Sequence, residues 1–497
     1  MEKISSHRTF GRLTTCVVMA AFVLLLSTQD SIASPSFARK YETSCQTCHV
    51  AYPKLNTFGQ AFRTLGYRMP GETEDQVKVP DVSLGSEAYK RVWPKAVWPG
   101  AIPKNIPVAL VSEFLIVNNS RLEDEGGTPV QEKVRKDFVF PSSIELVVAG
   151  TAGDHVAYFG EIEFVQEPED GSIHSEIEIG HLDVRFIRPI KNSLAFNFKV
   201  GSWQPELVST FDHARRLTVA NYDSMFAVNT TNPGGAESVG SGGHHGGGGG
   251  IALPAVARGI DMYGVAGNRF TWSAGVMNGL EGGHDSFDAN SEKDYYGRVA
   301  YKVGGLAPDG SNAADYAGSD KNWQENSFTI GVFGYWGDGD LEEPREFLED
   351  DMLEHFIETP DYTRQGVDFN WFYKNLNVFG AFVNGEDDVL TYELDLTDPT
   401  DPVPGAIDAG ASGTFEYDAW FVEADVVMGV PWLHGAFRYE TVDFPKIEGG
   451  LPVPDFERGT IHLTGLVRAN VKTFVEYTWD LDQSKNYDLW IGAGIAF

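Results

Sequence analysis

Basic residues are scarce in this chain: 38 Lys plus Arg against 71 Asp plus Glu leave its 497 residues with a formal charge of −33. So acidic a balance excludes a nucleic-acid partner, because phosphates are contacted by Lys and Arg, and it favours cations or cationic proteins instead. Cysteine is scarcer still, with three in all, so neither a disulfide framework nor a four-cysteine zinc site can be assembled. No apolar run reaches the ~20 residues that a membrane-spanning helix needs. The sequence also lacks a phosphate-binding glycine loop, a nucleophile triad and a His/carboxylate metal triad, which removes the common hydrolytic chemistries. What is present is a globular composition, 42% hydrophobic and 12% aromatic with 54 glycines, so a disordered polyelectrolyte is excluded too. The length accommodates several ordinary domains or one large β domain.

Residues 1–33 read as a signal peptide. Lys3, Arg8 and Arg12 precede an apolar run from Cys16 to Leu26, and Ser31-Ile32-Ala33 supplies the small residues of a cleavage site. Cleavage after Ala33 discards Cys16 and leaves two cysteines in an exported chain.

Those two form Cys45-Gln46-Thr47-Cys48-His49, the C-x-x-C-H pattern of covalent c-type haem attachment. Two intervening residues let both thiols reach one edge of the macrocycle, and the adjacent imidazole lies under the iron. The bland alternative, a redox pair or half a zinc site, lacks a second cysteine pair and a surrounding βαβ pattern. Downstream, Pro53 suits a first helical position, and Leu55, Phe58, Phe62 and Leu65 recur as one apolar stripe that Gly66 can end. In so short a segment that stripe, chiefly Phe58, Phe62 and Leu65, is expected to pack the haem. Met69, before Pro70, is the candidate sixth ligand; a distal histidine from elsewhere or an open site remain the alternatives.

Pro94, Pro99, Pro103 and Pro107, spaced by Trp93 and Trp98, predict an extended linker over 89–105 that no helix occupies. Beyond it the chain alternates with period two. Leu194, Phe196, Phe198 and Val200 make one apolar face, and Trp420, Val422, Ala424 and Val426 oppose Glu423 and Asp425. About sixteen such segments fit between Ile106 and Phe497. Soluble sandwiches alternate as well, but three features favour an outer-membrane barrel. The polar faces carry charge, as a wet lumen should. Aromatics gather near strand ends, as in Tyr295-Tyr296, Trp371-Phe372-Tyr373 and Trp432, and the final strand ends on a terminal Phe. The predicted fold is therefore an all-β outer-membrane barrel of about 16 antiparallel strands, preceded by a small α-helical c-type haem segment.

Long connections are expected to be extracellular loops. The longest, roughly Trp203 to Arg258, carries His244 and His245 in a glycine-rich run; these are weak metal candidates, or incidental imidazoles of a flexible loop. Asp338 to Asp351 holds eight carboxylates, and Glu386 to Asp401 is similar. Such runs either raise the local concentration of a divalent cation or serve as solvated faces.

Phe37-Ala38-Arg39, the Cys45 to His49 motif, Pro53, Leu55-Asn56, Phe58-Gly59, Phe62-Arg63 and Gly66-Tyr67, followed by a barrel, resemble the fused outer-membrane cytochrome–porins of iron-oxidising bacteria. The resemblance implies residues 34–88 as a monohaem cytochrome c segment inside the lumen, the 89–105 linker and a barrel over 106–497. It assigns one haem c to Cys45, Cys48 and His49, and implies electron transfer from extracellular Fe(II) to a periplasmic c-type cytochrome. An enzyme of that kind would be an iron(II)–cytochrome c oxidoreductase set in outer-membrane lipid. Two other classes fit the same residues: a porin or anchor barrel with a haem plug, and electron transfer from a donor other than iron.

Overall fold

The structure is a computed structural model that describes residues 36–70, 80–85, 87–95, 101–102, 104–123, 131–169, 172–190, 193–208, 216–218, 256–278, 293–315, 323–338, 355–358, 361–394, 406–443, 456–481 and 486–497. Residues 1–33, expected to be a signal peptide, His244, His245 and most of the 338–351 acidic run lie outside the described residues.

Sixteen strands close into one antiparallel barrel. They are β1 Val108–Glu123, β2 Gln131–Ala152, β3 Val156–Glu169, β4 Ser172–Phe186, β5 Asn197–Trp203, β6 Ala257–Ala266, β7 Phe270–Asn278 and β8 Lys293–Gly304. The second half comprises β9 Glu325–Asp338, β10 Asp361–Lys374, β11 Leu376–Leu394, β12 Ala406–Val427, β13 Leu433–Asp443, β14 Phe456–Arg468, β15 Val471–Asp480 and β16 Tyr487–Ala496. Each pairs with its neighbours in chain order, and β16 closes on β1 from Tyr487↔Ser120 to Ala496↔Val111. A short piece, His355–Glu358, pairs with β11 beyond the reach of β10 and lengthens that hairpin. The Glu386 run, expected in a loop, begins on β11 as paired strand, with Glu386 opposite Glu416 of β12.

Alternation explains closure. Along β13, His434, Ala436, Arg438, Glu440 and Val442 are buried and face inward, while Phe437 between them is exposed. The same outward exposure of Phe138, Ile177, Ile260, Ile330 and Ile461 wraps the barrel in a wide apolar belt. A surface of that kind is unstable in water and stable in hydrocarbon. Inward charges are paired: Arg298 forks onto Asp368 at 2.8 Å, Lys302 meets Glu325 at 2.7 Å, and Arg438 bridges Glu423 and Glu440 at 3.2 and 3.0 Å. The residues taken as an aromatic girdle divide by parity. Tyr295, Trp371, Tyr373 and Trp432 face outward, whereas Tyr296 and Phe372 turn inward.

One end of the barrel carries the short turns, such as Asn375 alone between β10 and β11; in membrane barrels this is the periplasmic end. Phe497 exchanges two 2.8 Å backbone hydrogen bonds with Leu110 there.

The lumen differs from the wet channel expected. Trp203, Tyr296, Phe333, Tyr335, Tyr362, Tyr417, Phe379 and Phe421 join an apolar cluster inside the barrel, and Leu207 and Val208 belong to it. The long connection after β5 therefore does not begin as an extracellular loop. Residues 204–208 and 216–218 fold inward: Leu217 packs on Ala51, Ala436 and Leu466, and the Thr218 hydroxyl donates to Glu423 at 2.9 Å. Burial of Leu207, Val208 and Leu217 compensates for removing this backbone from solvent.

Candidate functional site

The segment 36–70 lies across the short-turn mouth and is fastened to the wall at points around the ring. Arg39 donates to the Val108 carbonyl at β1, and Arg68 donates to the carbonyls of Gly153 and, at 3.1 Å, Val156. Leu65 packs on Ile187, Leu194 and Val265, and Ala61 and Phe58 pack with Leu306 and Ala313. On the far side the Lys54 ammonium reaches Asn377 at 2.7 Å and Asp425, and stands 4.4 Å over the Phe379 ring. The Gln46 amide donates to the Pro431 carbonyl at 3.0 Å. The inward loop adds an ion pair, Arg63 to Glu206 at 3.2 Å.

The cysteine motif is a single tight turn, with a 3₁₀ helix at Cys45–Thr47 whose Ser44 side chain caps Gln46. The Cys48 N–H donates to Cys45 O at 3.2 Å. Both thiols are free. Burial raises the pKa of each, that of Cys48 to about 12, so both are protonated thiols at neutral pH. His49 opens a two-strand hairpin, His49–Ala51 with Lys54–Leu55. Its Nδ1 lies 3.0 Å from the Pro53 carbonyl, and because only an N–H can serve that acceptor, Nε2 keeps the lone pair. Burial lowers the imidazole pKa to about 4, so the ring is neutral.

The helix following the motif is shorter than its apolar stripe predicts. It spans Thr57–Thr64, and Pro53 belongs to the hairpin turn. Asn56 sets the start: its side chain accepts the Gly59 N–H at 2.8 Å while its amide donates to the carbonyls of Gln46 and Thr47. An Asn cap outcompetes Pro at this boundary because it satisfies an orphan helix N–H and ties the helix to the motif. Asn56 has no role assigned from sequence; an Asn two residues before Phe58 is an N-cap signal. Gly59 is equally unforeseen. A Cβ there would lie 2.1 Å from the Cys48 carbonyl oxygen, so only glycine lets the helix sit against the motif.

The stripe also divides. Phe62 enters a cluster with Tyr41, Tyr67 and Ala157 against which Cys48, Met69, Phe37 and Phe159 pack. Its rings meet at 4.9 Å for Phe37 and Tyr67 and 5.9 Å for Tyr67 and Phe159. Phe58 packs instead on Leu306 and Ala313 of the connection after β8, and Leu65 on Ile187 and Leu194 of the connection after β4 and on Val265 of β6. Cys48, Phe62 and Met69 are thus brought together, and Phe58 and Leu65 anchor the segment. Arg185, held by Asp183 at 2.7 Å, covers the Tyr67 ring at 4.9 Å.

Between the other side of the helix and the wall of β4 to β10 lies a polar cavity of about 170 Å³, bordered by Arg63, Glu206, Lys199 and Asp261. Among the described residues no group of three or more His, Cys, Asp or Glu side chains converges as a separate metal site.

A closed antiparallel barrel with an outward apolar belt is the architecture of a porin-like outer-membrane protein. No protein-family model matches the chain, and no curated protein matches it. Solved structures similar to it include the outer membrane channel DcaP of Acinetobacter baumannii, with TM-score 0.43 and 11% identity over 78% of this chain and 97% of that one. Salmonella typhi OmpF gives TM-score 0.45 and 11% identity over 78% and 97%. An anion-selective porin from Comamonas acidovorans gives 0.40 and 11% over 78% and 99%.

Proposed function

We propose that this protein carries electrons across the outer membrane, from extracellular Fe(II) to a periplasmic c-type cytochrome, through one haem c held in the 36–70 segment. The observation that carries the reading is the donor set at the turn: two free adjacent thiols followed by a neutral imidazole whose Nδ1–H is spent on the Pro53 carbonyl. An imidazole oriented through its second nitrogen is the arrangement of an iron ligand. These residues fit a c-type haem. Cys45 and Cys48 would hold it as thioethers, His49 would offer Nε2, and Met69 shares the Cys48 cluster as the second axial candidate. Bound there, a haem supplies reversible one-electron chemistry.

The chain's own residues do the rest. Phe62, Tyr67 and Phe159 keep water from the Cys48 side, which bears on the potential. The anchoring of 36–70, together with the inward residues 204–208 and 216–218 and the aromatic cluster, would obstruct solute flow and hold the site at the short-turn mouth. The acidic balance of the chain favours a cationic donor. In catalytic terms the activity would be that of an iron(II)–cytochrome c oxidoreductase.

The test is to purify the protein from the outer-membrane fraction, measure covalent haem by its pyridine haemochrome, and mix it with Fe(II) at controlled pH. Reduction is expected. Haem that reduces with dithionite and not with Fe(II) would overturn iron as donor. The polar cavity of about 170 Å³ beside the helix favours a second reading, a porin with a haem plug, and that reading predicts solute flux in liposomes.

A further inference from the structure

Residues 80–106 join the 36–70 segment to β1, and the described ones among them expose apolar surface where a water-facing connector would not. Val82–Ser83 pairs with Ala101–Ile102, and a six-residue helix, Glu87–Val92, lies between them. Part of the predicted linker is thus helical, and the helix ends before Trp93-Pro94, where the proline ring blocks continuation. Val92 is 67% exposed, Trp93 64% and Ile106 73%; Val82, Leu84 and Ile102 are exposed as well.

Three observations say what covers this surface. First, it is continuous with the lipid belt: Ile106 leads into exposed Leu110, which is bonded to exposed Phe497. Second, it stands at the outer rim of the short-turn end. Asp81 and Lys104 share a crevice with Gly150 and Thr151, and Asp81 lies within electrostatic reach of Tyr158. Tyr158 alternates with the inward Ala157 and Phe159 and so faces the membrane. Third, the local charge opposes that of the chain: Lys90, Arg91, Lys95 and Lys104 against Asp81 and Glu87, in a protein of net −33.

We propose that residues 80–85, 87–95, 101–102 and 104–106 form an interfacial foot that docks on anionic phospholipid headgroups of the periplasmic leaflet, with Trp93 and Val92 in the acyl boundary and Arg91, Lys95 and Lys104 at the phosphates. Aromatic and basic residues together are the composition of such interfaces. Each cation near an anionic surface improves docking roughly fivefold. The foot would hold the entry to the haem segment at a fixed height. The proposal rests on the membrane barrel and not on the haem.

The test uses the full chain in nanodiscs of phosphatidylcholine, with or without phosphatidylglycerol, and brominated acyl chains as quenchers. The difference in emission between wild type and Trp93→Phe isolates Trp93. In phosphatidylglycerol discs that emission is expected to shift to the blue and be quenched. Replacing Arg91, Lys95 and Lys104 by Gln is expected to abolish the anionic preference, with barrel folding verified by heat-modifiable migration. Unquenched, water-like emission in both lipids overturns the proposal, and equal quenching in both overturns its electrostatic part. Shielding of Trp93 that appears only on adding soluble periplasmic protein overturns it in favour of a protein partner.

Discussion

Gly59→Ala is the sharpest perturbation of the site. The added Cβ would lie 2.1 Å from the Cys48 carbonyl oxygen, 2.9 Å from its carbon and 3.0 Å from Leu55 Cδ2. Relief requires the helix to retreat by about 1 Å, at an overpacking cost of about 1–3 kcal/mol. The Cys48 oxygen also accepts the Asn56 N–H at 2.9 Å, so the retreat strains the cap and moves the cysteine turn with it. Neither end can yield freely, because Lys54 is tied to Asp425 and Leu65 is packed on Ile187 and Leu194. Gly153→Ala is the control: it adds strain at φ 61° on an open turn where a Cβ meets nothing. Both variants should form heat-modifiable barrels. Haem per folded barrel, from the pyridine haemochrome, should fall severalfold for Gly59→Ala and stay near wild type for Gly153→Ala. Wild-type haem content and spectrum in Gly59→Ala would refute the inference that helix and motif form one rigid unit.

Three further outcomes follow from the geometry. Cys45→Ala with Cys48→Ala should abolish covalent haem while leaving barrel migration unchanged, since neither residue belongs to a barrel strand. Lys54→Met leaves the buried Asp425 without its ammonium, at a cost of about 3–5 kcal/mol; proteolysis within 36–70 should accelerate, and Asp425→Asn in the same chain should recover part of the loss. Met69→Ala should remove the near-infrared sulfur-to-iron band of the oxidised protein if its thioether is the sixth ligand, and an unchanged band would exclude it.

The residues legible from sequence are those whose meaning is local. Cysteine spacing marks a local donor set because two thiols and an imidazole fall within five residues, and the chain there makes one tight turn. Strand parity marks the barrel because every strand must present one face to lipid, and the count of about sixteen holds for the same reason. The helix start was misplaced to Pro53 because Asn56 acts through the Gln46 and Thr47 carbonyls, a contact that apolar periodicity does not register.

What the tertiary structure alone decided is what fills the barrel. Period two assigns each side chain to an inner or outer face, but it cannot say what the inner face meets. Inward Tyr335, Phe379 and Phe421 therefore read as a wet wall until Leu207 and Val208 are seen to pack among them. Likewise Phe58, Phe62 and Leu65 form one stripe, yet Phe62 goes to Cys48 while the other two pack on the connections after β8 and β4. The sequence determined the Cys45-to-His49 turn and the closed sheet; the long-range contacts determined that the first is fastened across the mouth of the second.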